Sequence, residues 1–373
     1  MTQDEVELLQ KLTIVIPIYI VPTLNRRREF ELAIEYWRET PIVVHILDGS
    51  AESIFRDGQI LGVENIYYHH MPTLPGENPT LNVMKRLVFA STLPKTKYSA
   101  VCSADDFFTI SGLVESIKYL ENNIEVDAAV GSSLNYFLRR KKLFWYFFHD
   151  FKKNYGKLET KSIKEKVFLR KTWFLYAVCR TSIWCEYIKL SYEEREFTAT
   201  QYFAHEWIMF ILSKGMFRTK QLDLISIIRQ DLIVGANKGP SIAWGDWINN
   251  PNNFYLVDEI VDQLSRGFNF VSDPVEHKRN LQLARSLMLN DQQNWKATVI
   301  TSRTIRQKFR KSFSNAVYVA IPNLKIFADR AQLLKNQWEL LDSTGLFYVK
   351  SELQDINNLL AKPREKLRLR IDC

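Results

Sequence analysis

The chain has 373 residues, 46% of them hydrophobic and 13% aromatic, with only 13 glycines and 12 prolines. That material fills one large domain with an appendage, or two domains, and excludes a disordered, collagen-like or linker-dominated chain. A formal charge of +8 suits anionic partners such as phosphates, nucleic acid or an acidic membrane face, and does not choose among them.

Four cysteines, Cys102, Cys179, Cys185 and Cys373, form neither a CxxC pair nor a zinc spacing. They fit a reducing compartment, with the first three as small core residues. Residues 1–11 are polar and acidic, so no secretory signal is expected. No run of about 18 uncharged apolar residues is available to span a bilayer. A cytoplasmic protein is therefore expected.

Residues 12–19 form a β-branched run ending near Pro17, the pattern of a strand buried on both faces. A helix is expected over 26–39, capped by Asn25, with Phe30, Ile34 and Trp37 on one face. Residues 41–47 read as a second buried strand ending at Asp48, and 66–69 as a short third one. A Pro- and Gly-containing loop (71–79) leads to a helix over 80–91, and 98–102 form a strand that ends at Asp105 and Asp106. This alternation gives βαβ units and a mostly parallel sheet flanked by helices. Tyr19, Asp48 and Asp105 would then converge at the strand C-termini, where open α/β sheets bind ligands.

Beyond the acidic pair, a helix over 111–122, a strand over 127–134 and a closing strand over 222–229 are expected. Residues 197–215 read as a loop and a helix containing His205, Glu206 and Trp207. From about 236 helical periodicity dominates, at 255–289 and 326–360. The division expected is a catalytic domain over 1–235 and a mainly helical region over 236–373. Those late helices could pack on the core, bind an acceptor, or pair two copies of the chain.

Two adjacent carboxylates among bulky apolar neighbours repel each other unless a cation balances them, and hard divalent ions such as Mg²⁺ or Mn²⁺ suit such oxygen ligands. A solvated turn between strand and helix accounts for the same residues. Residues 136–155 interleave Lys and Arg with aromatics. They read as core aromatics flanked by solvated bases, as a segment seated on an anionic membrane face, or as a single-strand nucleic-acid surface. No nucleic-acid motif accompanies the charge, which leaves that last reading weakest.

Residues 14–19, Asp48-Gly49-Ser50, Ser103-Ala104-Asp105-Asp106 and His205-Glu206, in this order and spacing, resemble a nucleotide-sugar glycosyltransferase of the GT-A fold. The resemblance is to the inverting family 2 and its bacterial polysaccharide-synthesis relatives, and covers roughly residues 12–229. It implies that Pro17, Ile18 and Tyr19 line the nucleobase and that Asp48 accepts a hydrogen bond from it, with a UDP-sugar as the first donor to consider. For Asp48, a turn residue bonding its own backbone is the competing reading.

The family's metal motif is Asp-x-Asp. Ser103 stands at its first position here, so Asp105 is expected to bridge a metal to the diphosphate, with Asp106 also near the metal and contacting donor sugar or ribose. Glu206 would be the general base that takes the acceptor hydroxyl proton, with His205 as an alternative base or metal ligand. The acceptor implied is a hydroxyl of a bacterial surface glycan or lipid-linked precursor, with peripheral contact at the inner membrane surface. A nucleotidyltransferase is disfavoured because no glycine lies between Tyr19 and Arg28 to build a triphosphate loop. A glycan-binding scaffold on a degenerate transferase fold is fed by Ser103 and by His205 beside Glu206.

Overall fold

Every long apolar run of the N-terminal third folds as a strand of one sheet. The structure, a computed structural model, describes residues 1–18, 27–53, 63–74, 77, 79–139, 142–147, 176–193, 219–230 and 347–361. A short helix comes first, α1 (Gln3–Leu9). Thr2 and Glu5 cap it reciprocally: the Thr2 hydroxyl accepts from Glu5 N at 3.3 Å and the Glu5 carboxylate from Thr2 N at 2.7 Å.

Strand β1 (Leu12–Ile18) is buried at every position but Pro17, as a central parallel strand covered on both faces must be. It is followed by α2 (Arg27–Trp37), β2 (Val43–Asp48), β3 (Ile66–His70), α3 (Pro79–Ala90) and β4 (Tyr98–Val101). β1 pairs in parallel with β2 and β4, and β2 with β3. Then come β5 (Phe107–Phe108), α4 (Ile110–Asn122), β6 (Ala128–Arg139), β7 (Lys142–Phe147), β8 (Val178–Arg180), α5 (Thr181–Glu193), β9 (Thr219–Gln230) and α6 (Phe347–Ala361). The spatial order is β3-β2-β1-β4-β8-β6-β9-β5, with β7 beside β6.

The molecule is therefore of mixed α/β class, a central sheet with helices. The parallel order expected from sequence holds for β1 to β4 and again for β6 with β9. Antiparallel pairs enter with β8, β5 and β7. The basic aromatic stretch opens as the second half of a hairpin: Tyr136 is in register with Trp145, Phe137 with Phe144 and Arg139 with Lys142. Its remainder lies outside the described residues.

Helix α4 is tied at both ends by distant parts of the chain. At its start the Thr109 hydroxyl accepts from Gly112 N at 3.1 Å, while the Glu352 carboxylate accepts from Ile110 N at 2.6 Å and Ser111 N at 2.9 Å. At its end the Arg180 guanidinium donates to Leu120 O (2.8 Å), Asn123 O (3.1 Å) and Val126 O (2.9 Å). An anion at the N-terminus and a cation at the C-terminus both complement the helix dipole. A Cβ at Gly112 would lie 2.6 Å from Ser226 Cα, so only glycine lets α4 approach β9 this closely.

Two compact units divide the chain: 1–236 together with 344–373, and 237–343. The second lies outside the described residues, as do the helices expected over 255–289. The region expected from 236 onward is thus shared between the two units. Helix α6 belongs to the first and packs on α2 and α4, with Leu353, Ile356, Leu359 and Leu360 buried. Cys102 and Cys179 are buried and Cys185 half-buried, all three as free thiols. Among the described residues no helix is long and apolar enough to cross a membrane.

Candidate functional site

Strands β1 to β4 run the same way, so their C-terminal ends open along one edge. The chain winds outward from β1 to β2 and β3, then returns to β4 on the far side of β1. That reversal makes the C-terminal ends of β1 and β4 a topological switch point, the place where such sheets leave a crevice. Main-chain bonds carry the order past the strands: Gly49 N donates to Ile18 O (3.0 Å), Met71 N to Asp48 O (2.7 Å), Thr73 N to Gly49 O (3.0 Å) and Cys102 N to Val15 O (3.0 Å).

Asp48 closes β2 and is fully buried. Its Oδ1 accepts from Ser50 N at 2.8 Å and from the Ser50 hydroxyl at 2.5 Å, and its Oδ2 from the Tyr68 hydroxyl. Three of about four acceptor positions of a carboxylate are thereby used inside the chain. The turn reading of Asp48 is what the geometry displays, with Tyr68 of β3 added. A base could reach Asp48 only after this strand end opened.

The acidic pair diverges. Asp105 is half-buried, and its Oδ1 accepts from the Ser103 hydroxyl at 2.5 Å. Asp106 is withdrawn, 3% exposed, and its Oδ2 accepts from the Tyr176 hydroxyl at 2.5 Å. Asp106 is also anchored through its main chain: its N donates to Ser103 O at 3.2 Å, and its O accepts from the Cys102 thiol at 3.4 Å. Burial first, then the charges of Asp106 and Asp105, push the Cys102 thiol well above its ordinary range, so it stays a thiol. Of the two carboxylates, Asp105 is the more exposed.

Arg86 of α3 was not singled out from sequence. It is 2% exposed, and its Nη1 donates to Thr73 Oγ1 at 3.2 Å. Its guanidinium lies so close under Gly49 that a Cβ there would sit 2.0 Å from Nη1. A planar cation at the ends of β2 and β3 suits phosphate or carboxylate oxygens. A signal was present: Asn82 and Arg86, four apart, occupy the buried face of α3 with Met84 and Leu87, where polar residues break the amphipathic pattern.

Histidines line the β2–β3 side. His45 Nδ1 and His69 Nε2 share a hydrogen bond at 3.0 Å. Burial, with the neighbouring His69, lowers His45 to about 4, and burial lowers His69. His70 Nε2 donates to Ser50 O at 2.9 Å, tying β3 to the strand end that carries Asp48.

Of the residues expected at the site, Pro17 is half-buried and Ile18 buried at the end of β1. Ser103, Asp105 and Asp106 stand together after β4. Tyr19, His205 and Glu206 lie outside the described residues, and so does Trp207.

No protein-family model and no curated protein matches the chain. Among solved structures, S. aureus TarS 1-349 is similar at 13% identity over 75% of this chain and 72% of that one, with a TM-score of 0.47. TarS 1-349 in complex with UDP-GlcNAc is similar at 13% identity over 72% and 70%, with a TM-score of 0.46. The same protein in complex with UDP is similar at 12% identity over 82% and 92%, with a TM-score of 0.43.

Proposed function

We propose that the chain is an inverting, metal-dependent glycosyltransferase that takes a nucleotide-sugar donor, UDP-linked first, at the crevice between β1 and β4. The observation that carries this reading is the split of the acidic pair. A half-buried Asp105 stands in the turn that follows the buried parallel strand β4 at the switch point, while Asp106 is held back by Tyr176.

The residues present fit a divalent ion of the magnesium or manganese kind. Among the described residues no three His, Cys, Asp or Glu side chains converge into a closed cage. Such ions commonly take one or two protein carboxylates and complete their shell with substrate phosphates and water. Asp105 would hold the ion, which when bound would balance the charge gathering on the leaving diphosphate.

The chain's own groups then divide the remaining work. Arg86, buried beneath Gly49 and bonded to Thr73, adds positive charge under the ends of β2 and β3, which favours an anionic diphosphate nearby. Asp106, fixed by Tyr176 and Cys102, sets the course of the loop beside the donor sugar or ribose. Pro17, Ile18 and Tyr19 give the base an apolar wall, and Asp48 frames it through Ser50. Glu206 takes the acceptor hydroxyl proton, with His205 as the alternative. The acceptor is a hydroxyl of a bacterial surface glycan or a lipid-linked precursor.

Calorimetry of the full chain with UDP, GDP and CMP, with and without Mn²⁺, tests the reading. Mn²⁺-dependent binding of one of them, lost in Asp105→Ala, is expected. Binding of none, or binding untouched by Asp105→Ala, would refute it.

A further inference from the structure

Three residues separate Asp106 from α4, and each is fixed from outside its own neighbourhood. Phe107 and Phe108 pair with Ile228 and Ile227 of β9. Phe108 O also accepts from the Tyr36 hydroxyl at 2.6 Å. Thr109 N donates to Ser226 O at 3.0 Å and the Thr109 hydroxyl to Ile225 O at 2.7 Å. The next two amides, Ile110 N and Ser111 N, end on the two oxygens of Glu352, more than 240 residues downstream. A loop held so continuously has little freedom of its own. Its position depends on where these partners stand.

Thr109 already caps α4 locally, as most helices are capped. Glu352 adds a second, bidentate and charged acceptor, which is the stronger kind. It is delivered by α6, whose buried face, Leu353, Ile356, Leu359 and Leu360, sets where the carboxylate stands. Tyr36 of α2 links the same helix to the loop from another side. Burial first, then the charge of Glu352, followed by Cys102 and Asp355, pushes the Tyr36 hydroxyl well above its ordinary range. Tyr36 therefore remains protonated and continues to donate to Phe108 O.

We propose that Glu352 is a positioning residue: by seating its carboxylate on the first amides of α4, helix α6 fixes the loop that presents Asp105. The inference rests on the donor-site reading above and extends that site's control to the far end of the sequence. Glu352 touches neither donor nor metal. It acts through the main chain of 107–111.

The test follows two readouts on the full chain and on Glu352→Gln, which keeps the size but loses the charge and one of the two acceptors. Hydrogen exchange should quicken about tenfold across 102–113 and stay unchanged in β1 and β2, and the affinity for UDP with Mn²⁺ should fall about tenfold. Glu352→Asp, which keeps the charge but cannot span both amides, should give a smaller loss of the same kind, and serves alone if the glutamine variant does not fold. Arg180→Met, which loosens the other end of α4, should leave UDP affinity unchanged.

Unchanged exchange in Glu352→Gln would overturn the inference. Quickened exchange with full UDP affinity would also overturn it, leaving Glu352 a structural cap. A wild-type chain that binds no nucleoside diphosphate takes down the donor-site reading and this one together. Wild-type binding matched by Glu352→Gln takes down this one alone.

Discussion

Mild acid should loosen the β3 edge of the site, and the histidine pair sets by how much. His45 is 8% exposed and shares a hydrogen bond with His69 across β2 and β3, so neither ring gains a proton cheaply there. Its folded value, about 4, lies below the 6.5 of an ordinary histidine. The unfolded chain therefore binds more protons between these two values. The stability held at neutral pH is lost as pH falls from 6.5 towards 4, by about 1.4 kcal/mol for each unit. Between roughly pH 7 and 4.5 the loss from His45 comes to about 2.5 kcal/mol. β3 is the edge strand, and its Tyr68 and His70 hold Asp48 and Ser50, so the strand end should loosen with it. Urea unfolding of wild type and His45→Gln across this range measures the effect, since carboxylates titrate alike in both. Wild type should lose about 2.5 kcal/mol more than the variant. Parallel curves for the two proteins would refute the reasoning.

Gly49→Ala should displace the Arg86 guanidinium, whose Nη1 a new Cβ would meet at 2.0 Å. The flexible arm yields easily, but reseating a buried cation should cost about 1–3 kcal/mol. In an Arg86→Met background the same change should cost less than half as much; additive urea-unfolding energies would refute the contact. Arg180→Met removes three bonds to carbonyls at and just beyond the end of α4 and should lower stability by about 2–3 kcal/mol at unchanged denaturant slope. Tyr176→Phe removes a hydroxyl donor to buried Asp106. It should cost about 1–3 kcal/mol and weaken Mn²⁺-dependent UDP binding by calorimetry, and full retention of both would count against the tie.

β1, β2 and β4 were legible because they are buried on both faces, so their sequences are mostly apolar runs ending near Pro17, Asp48 and Cys102, while the edge strand β3 was read from its short Ile66–His69 stretch. β5 and β8 escaped notice: two and three residues show no period, and they exist because β9, β4 and β6 offer free edges. The opening helix was missed although Thr2 and Glu5 carry its capping signature. At the site, sequence brought Asp48 and Asp105 to one edge through strand order alone. It could not tell that Asp106 turns inward to Tyr176, 70 residues away, or that Asp48 is saturated by Ser50 and Tyr68. Nor could any local pattern announce Glu352, whose partners are main-chain amides and leave no mark in the side chains.

The unit that holds Asp105 is discontinuous in sequence, since 344–373 rejoin 1–236 after more than a hundred intervening residues. A fragment stopped at 236 would carry every strand of the sheet and still lack the carboxylate that α4 waits for. On a ribosome adding about 5–20 residues each second, Ile110 emerges some ten to fifty seconds before Glu352 is made. The newborn chain can thus assemble its sheet early, yet the first amides of α4 meet their Glu352 carboxylate only after the whole intervening unit has been made.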